Sequence, residues 1–169
     1  MVQNADGYAP LRGEELAKLV EEVPQIEYIK EERQPGPKHV AEVKGMLGGK
    51  LKAIFGGAAG KFLPDEMRRG ADGCMPACEL GDVLARITEW WWAGKEEEAR
   101  ALHRRLLPLL LLETHPFMRY MLKRRGVFSS LVERAPSGVQ TLGAEDKREI
   151  SNLLRAVEDQ LQGFPFGPE

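Results

Sequence analysis

Ile26-Glu27-Tyr28-Ile29-Lys30-Glu31-Glu32 lies between Pro24 and Pro35 and is rich in β-branched and aromatic residues, so it reads as a short strand. Side chains alternate across a strand, which puts Tyr28, Lys30 and Glu32 on one face and turns Ile29 to the other. A lysine and a carboxylate then project together from the last residues of a buried parallel strand, where α/β barrels keep their chemistry. A lysine held there that loses its proton attacks a carbonyl and forms a Schiff base. The plain reading of an isolated lysine is a side chain snorkelling from a strand end to water.

Outward from this strand, strand and helix patterns alternate, which argues for βα units and a parallel sheet. Residues 13–23 space Leu16, Leu19, Val20 and Val23 as a helix does, and 37–47 repeat the pattern with Val40, Val43 and Leu47 before Gly48-Gly49. A second strand is expected over 51–55, ending in Gly56-Gly57, then a short helix over 64–69 and a very short strand over 73–76. After that the strands stop. Helices are expected over 80–93, 95–113 and 116–125, and a loop around Pro136-Ser137-Gly138 leads to a last amphipathic helix over 144–162.

The chain has 169 residues, 43% of them hydrophobic, enough for one domain with its own core. A formal net charge of -2 gives no electrostatic reason to bind nucleic acid or an anionic membrane. No basic, apolar leader opens the sequence, and the aliphatic run 106–112 is interrupted by Pro108 and too short to span a bilayer. Two cysteines make no disulfide framework, so a reducing cytoplasm is the expected location. Three or four strands do not close a barrel, which takes eight strands and about 250 residues. Met1-Val2-Gln3-Asn4 reads as the tail of a strand, so the chain is expected to be the second half of a larger barrel begun at an internal methionine.

The order of Gln3-Asn4, Pro24-x-Ile26-x-x-Ile29-Lys30-Glu31, Phe55-Gly56-Gly57 and Arg69-Gly70-Ala71-Asp72-Gly73-Cys74-Met75-Pro76 resembles the dihydrodipicolinate synthase / N-acetylneuraminate lyase family. These are Schiff-base-forming (β/α)8 lyases, and the resemblance runs from Met1 to about Gly126. It implies an α/β fold, a partial (β/α)8 barrel from the end of the fifth strand to the eighth, followed by a C-terminal helical extension. The expected domains are a barrel half over 1–93, a helical region packing on it over 94–162, and a frayed tail over 163–169.

By the same resemblance, Lys30 is the Schiff-base lysine, Gly57 (or Gly56, one residue earlier) the glycine ending the seventh strand, and Met75 the apolar residue packed on a bound ketoacid. Gln3 falls where many members carry a proton-relaying tyrosine, and glutamine is neither acid nor base at ordinary pH. Gln3 with Lys30-x-Glu32 looks more like the branch that dehydrates 2-keto-3-deoxy sugar acids, in which a glutamate two residues after the lysine lies beside the substrate. The alternatives are a 4-hydroxy-tetrahydrodipicolinate synthase, a pyruvate-dependent aldolase, or a non-catalytic half-barrel that pairs with another chain. An ionised Glu32 would favour the ammonium form of its neighbour; burial acts the other way, and a Glu32 neutral part of the time would serve as general acid for a leaving hydroxyl. The expected substrate is a small 2-keto acid, with no organic cofactor and no metal. The family's carboxylate-binding glycine loop would precede Met1, so this chain alone is expected to be inactive, and the full-length protein to be a homo-oligomer.

Other constellations have plainer readings. Gly56-Gly57-Ala58-Ala59-Gly60-Lys61 lacks the spacing and the Ser or Thr of a phosphate loop and reads as a turn. Cys74 and Cys78 lack a nearby histidine and read as structural. Trp90-Trp91-Trp92 reads as a cover for the barrel or a subunit contact, and the Arg104-Arg105 and Lys123-Arg124-Arg125 groups as solvated helix faces.

Overall fold

The computed structural model describes residues 1–8, 10–132 and 141–161. The expected loop at Pro136–Gly138, the last residue of the expected 144–162 helix and the expected tail 163–169 lie outside them. The chain divides into two compact units, Met1–Pro76 and Ala77–Glu169.

In the first unit four strands, β1 (Val2–Asn4), β2 (Tyr28–Glu31), β3 (Ala53–Gly56) and β4 (Gly73–Cys74), form one parallel sheet in sequence order. Helices α1 (Gly13–Glu22), α2 (Gly36–Leu47) and α3 (Leu63–Arg68) make the crossovers. This is the βα alternation read from the sequence, with strands shorter than the pattern suggested. β2 begins at Tyr28 rather than Ile26 because the Ile26 N–H closes the preceding turn onto the Val23 carbonyl at 3.0 Å. β4 ends at Cys74, although the Met75 N–H still donates to the Gly56 carbonyl at 3.0 Å.

Strand alternation sorts the two faces. Ile29 and Ile54, paired across β2 and β3, join Leu16 and Val20 of α1 and Val43 and Leu47 of α2 in a buried apolar cluster. The amphipathic helices thus cover one face of the sheet, as a parallel sheet requires. The opposite face carries Tyr28, Lys30 and Phe55, with the Tyr28 and Phe55 rings stacked at 6.3 Å.

The second unit is helical: a 3₁₀ turn at Cys78–Leu80, then α4 (Gly81–Trp92), α5 (Glu96–Leu111), α6 (His115–Arg124) and α7 (Ala144–Leu154). α4 and α7 both pack on α5. Buried Arg125 joins the end of α6 to the start of α4, donating to the Glu79 carbonyl at 2.6 Å and to both Asp82 oxygens at 2.9 and 2.6 Å. Arg100 lies 5.0 Å over the Trp91 ring, while Trp92 is largely exposed. The expected helix over 144–162 is interrupted: after Leu154 the Ala156 and Val157 N–H groups bond three residues back, and a 3₁₀ turn at Glu158–Gln160 follows. This tighter winding keeps Val157 buried with Ile150 and Leu154. Among the described residues no helix is long and apolar enough to cross a membrane.

Candidate active site

Parallel register brings three strand ends level. Gln3 pairs with Lys30, and Lys30 with Phe55, so the residues that follow meet beyond the carboxyl ends of β1, β2 and β3. Glu32 is the first residue past β2, and its N–H donates to the Asn4 carbonyl at 2.8 Å. Its carboxylate turns to the same side as Lys30, with Lys30 Nζ 3.2 Å from Glu32 Oε2 and the two side chains 16% and 23% exposed. Both are thus accessible to a small ligand without being freely solvated.

Three donors converge on Glu32. Gln3 Nε2 donates to Oε2 at 2.6 Å, the Ala58 backbone N–H to Oε1 at 2.8 Å, and the Lys30 ammonium lies beside Oε2. Burial opposes the charge on Glu32, but the Ala58 N–H, the Gln3 amide and Lys30 together outweigh it and hold the carboxyl below its ordinary range. Glu32 with these partners is therefore a carboxylate at neutral pH; the partly neutral Glu32 of the sequence reading is one hydrogen-bonded to substrate.

The glycine turn makes this possible. A Cβ on Gly57 would lie 2.5 Å from Glu32 Cγ and 2.6 Å from its Cδ and Oε1, so only glycine lets the carboxylate reach the turn. Ala58 and Ala59 follow with φ of 48° and 59°, a left-handed conformation costing about 1–2 kcal/mol per residue for non-glycine side chains. The strain is located where the Ala58 N–H is aimed at Glu32. Met75 stands just past β4, half-buried, its backbone tied to Gly56. Gln3, Lys30 and Gly57 are thus gathered around Glu32, and Met75 stands at the same end of the sheet.

Two features of this end escaped the sequence reading. Glu31, fully buried on the other face, accepts from Asn4 Nδ2 at 2.8 Å and from the Arg33 N–H and Nε at 3.0 and 3.1 Å. Asn4 also bonds both the N–H and the carbonyl of Leu11, so one polar cluster pins the loops leaving β1 and β2. The second is Glu66 of α3, 1% exposed, whose Oε2 has no hydrogen-bond partner among the described residues. Burial, then the charges of Asp65, Glu32 and Glu31, push its carboxyl up to about 7. The available signal was a glutamate beside Leu63 and Met67 on the buried side of a short helix.

No family model matches the chain. It is 24% identical over 147 residues to an L-2-keto-3-deoxyarabonate dehydratase from Azospirillum brasilense, covering 85% of this chain and 47% of that protein. In fold it is similar to the dihydrodipicolinate synthase of Rhodopseudomonas palustris, with a TM-score of 0.81 and 27% identity over 91% of this chain and 54% of that one. It is also similar to the 4-hydroxy-tetrahydrodipicolinate synthase of Methylacidiphilum fumariolicum, with a TM-score of 0.79 and 23% identity over 95% and 54% of the two chains. The chain thus spans about half the length of the proteins it matches. The four parallel strands followed by helices correspond to part of a TIM barrel and its helical extension, and in sequence and fold the chain resembles the C-terminal half of the dihydrodipicolinate synthases.

Proposed function

We propose that this chain carries the Schiff-base half of a lyase active site acting on a 2-keto acid, with dehydration of a 2-keto-3-deoxy sugar acid as its reaction. The observation that carries the reading is the Lys30–Glu32 pair at 3.2 Å beyond a parallel strand, with Gln3 on the same carboxylate. In the neutral form, Lys30 adds to the 2-keto carbon and water leaves, giving a protonated imine. The imine draws electrons from C3. Glu32, a carboxylate at rest, is poised to take the C3 proton, forming an enamine. It then returns that proton to the C4 hydroxyl, which leaves as water. The conjugated imine that remains is hydrolysed, restoring Lys30. One carboxylate serves as base and then as acid, and Gln3 and the Ala58 N–H hold it in place. Gln3 has no proton to relay, which weighs against a synthase or aldolase that depends on a tyrosine at that position. The likeness to a keto-deoxy sugar-acid dehydratase supports the same choice.

The test is incubation with pyruvate and with 2-keto-3-deoxy acids under borohydride, followed by peptide mass mapping, on this chain and on a version extended by a barrel N-terminal half. The label is expected on Lys30. Glu32→Gln is expected to keep the label and to lose roughly 10²–10⁴ in dehydration rate, the usual contribution of a general acid–base group. Labelling of another lysine, or undiminished turnover in Glu32→Gln, overturns the assignment.

A further inference from the structure

Glu66 has no role in the reaction above, yet it is a deeply buried carboxyl, 1% exposed, with an oxygen that accepts no hydrogen bond among the described residues. Its side chain fills two hollows left by glycines: a Cβ on Gly56 would lie 1.9 Å from Glu66 Oε2, and one on Gly36 would lie 2.6 Å from Oε1. It is therefore wedged between the last residue of β3 and the first turn of α2. Gly56 leads directly into Gly57 and Ala58, the turn whose N–H holds Glu32. Two peptide units thus separate the glycine that Glu66 abuts from the N–H that holds Glu32.

Three carboxylates act on Glu66, each with a cation of its own: Asp65 with Arg69 at 3.1 Å, Glu31 with Arg33 at 3.1 Å and Glu32 with Lys30 at 3.2 Å. Asp65 on its own helix and Glu31 and Glu32 at the end of β2 all act against its ionisation, and Cys74 of β4 is a neutral thiol whose ionisation Glu66 opposes in turn. From α2, His39 is engaged with Glu42 at 2.9 Å, and Lys44 lies against Gly70. β3 presents only Phe55 and Gly56 at this level. Oε2 has no hydrogen-bond donor among the described residues, so a charge there is left uncompensated.

We propose that Glu66 is a positioning residue for the Lys30–Glu32 pair: protonated, it braces the Gly56–Ala58 turn against Glu32; ionised, it is expelled from the glycine hollows and withdraws the turn. Imine formation is then limited on the alkaline side by Glu66 as well as by the lysine chemistry. The effect on trapping rests on the Schiff-base reading; the effect on Glu32 does not.

The experiment has two arms on the protein labelled with ¹³C at glutamate carboxyls. In the first, carboxyl resonances are followed from pH 3 to 9. One resonance is expected to titrate near 7, and that of Glu32 to show a second inflection at the same pH. In Glu66→Gln, which keeps the size and removes the charge, both features should vanish. In the second arm, borohydride trapping of pyruvate is measured across the same range; the fall above neutrality should be displaced by a pH unit or more, about tenfold in proton concentration, in Glu66→Gln. A Glu32 resonance with a single inflection in the parent protein overturns the proposal without any variant, as does an unmoved alkaline limb. Absence of trapping at every pH in the version extended by a barrel N-terminal half refutes the Schiff-base reading, and the resonance arm then decides Glu66 alone.

Discussion

Replacing Gly57 by alanine probes the site through one added methyl group. That carbon would lie 2.5 Å from Glu32 Cγ and 2.6 Å from Cδ and Oε1, and contacting heavy atoms rest at about 3.5–4.0 Å, so the side chain must withdraw by roughly 1 Å. The 2.6 Å bond from Gln3 and the 2.8 Å bond from Ala58 then stretch beyond useful length. Hydrogen bonds to a charged group contribute about 1.5–3 kcal/mol, and with Glu32 23% exposed water recovers part of that, leaving an expected loss of about 1–2 kcal/mol at pH 7. The loss has a pH signature. Glu32 is held below its ordinary range, so its contribution to stability is present above the unfolded value, about 4.3, and disappears as pH falls through the folded one. Urea titrations followed by circular dichroism should therefore show the full deficit at pH 7 and a much smaller one near pH 3. A variant as stable as the parent at pH 7, or a deficit of equal size at both pH values, refutes the argument that Gly57 exists to admit the carboxylate.

Three further outcomes follow from the packing. Leu16→Ala, at a fully buried position in the cluster beneath the sheet, should cost about 2–5 kcal/mol in urea unfolding. Burial, with Glu66 adding to it, pushes the Cys74 thiol up to about 12, whereas Cys78 is exposed; iodoacetamide at pH 8 should alkylate Cys78 and spare Cys74, as read by peptide mass. Thr114 caps α6 by accepting from the Phe117 N–H at 3.4 Å, a long bond, so Thr114→Ala should lower the denaturation midpoint by an amount equivalent to about 0.5–1 kcal/mol.

The alternation of Ile29 with Lys30, and the helical spacing of Leu16, Val20, Val43 and Leu47, determined the parallel βα arrangement before any coordinates, because burial of one sheet face requires that periodicity. The same alternation placed Lys30 and Glu32 on one side. Proton occupancy was not legible, because it depends on donors that arrive from elsewhere in the chain. Gln3 and Ala58 lie 29 and 26 residues from Glu32, and only strand register and the glycine turn bring them to it. Glu66 was hidden for the same reason: a glutamate in a short helix is solvated by default, and its burial is decided by Gly36 and Gly56, two residues whose missing side chains leave the space it fills. Local sequence thus set the elements and their faces, while tertiary packing set the electrostatics, since charge responds to what surrounds it in space rather than along the chain.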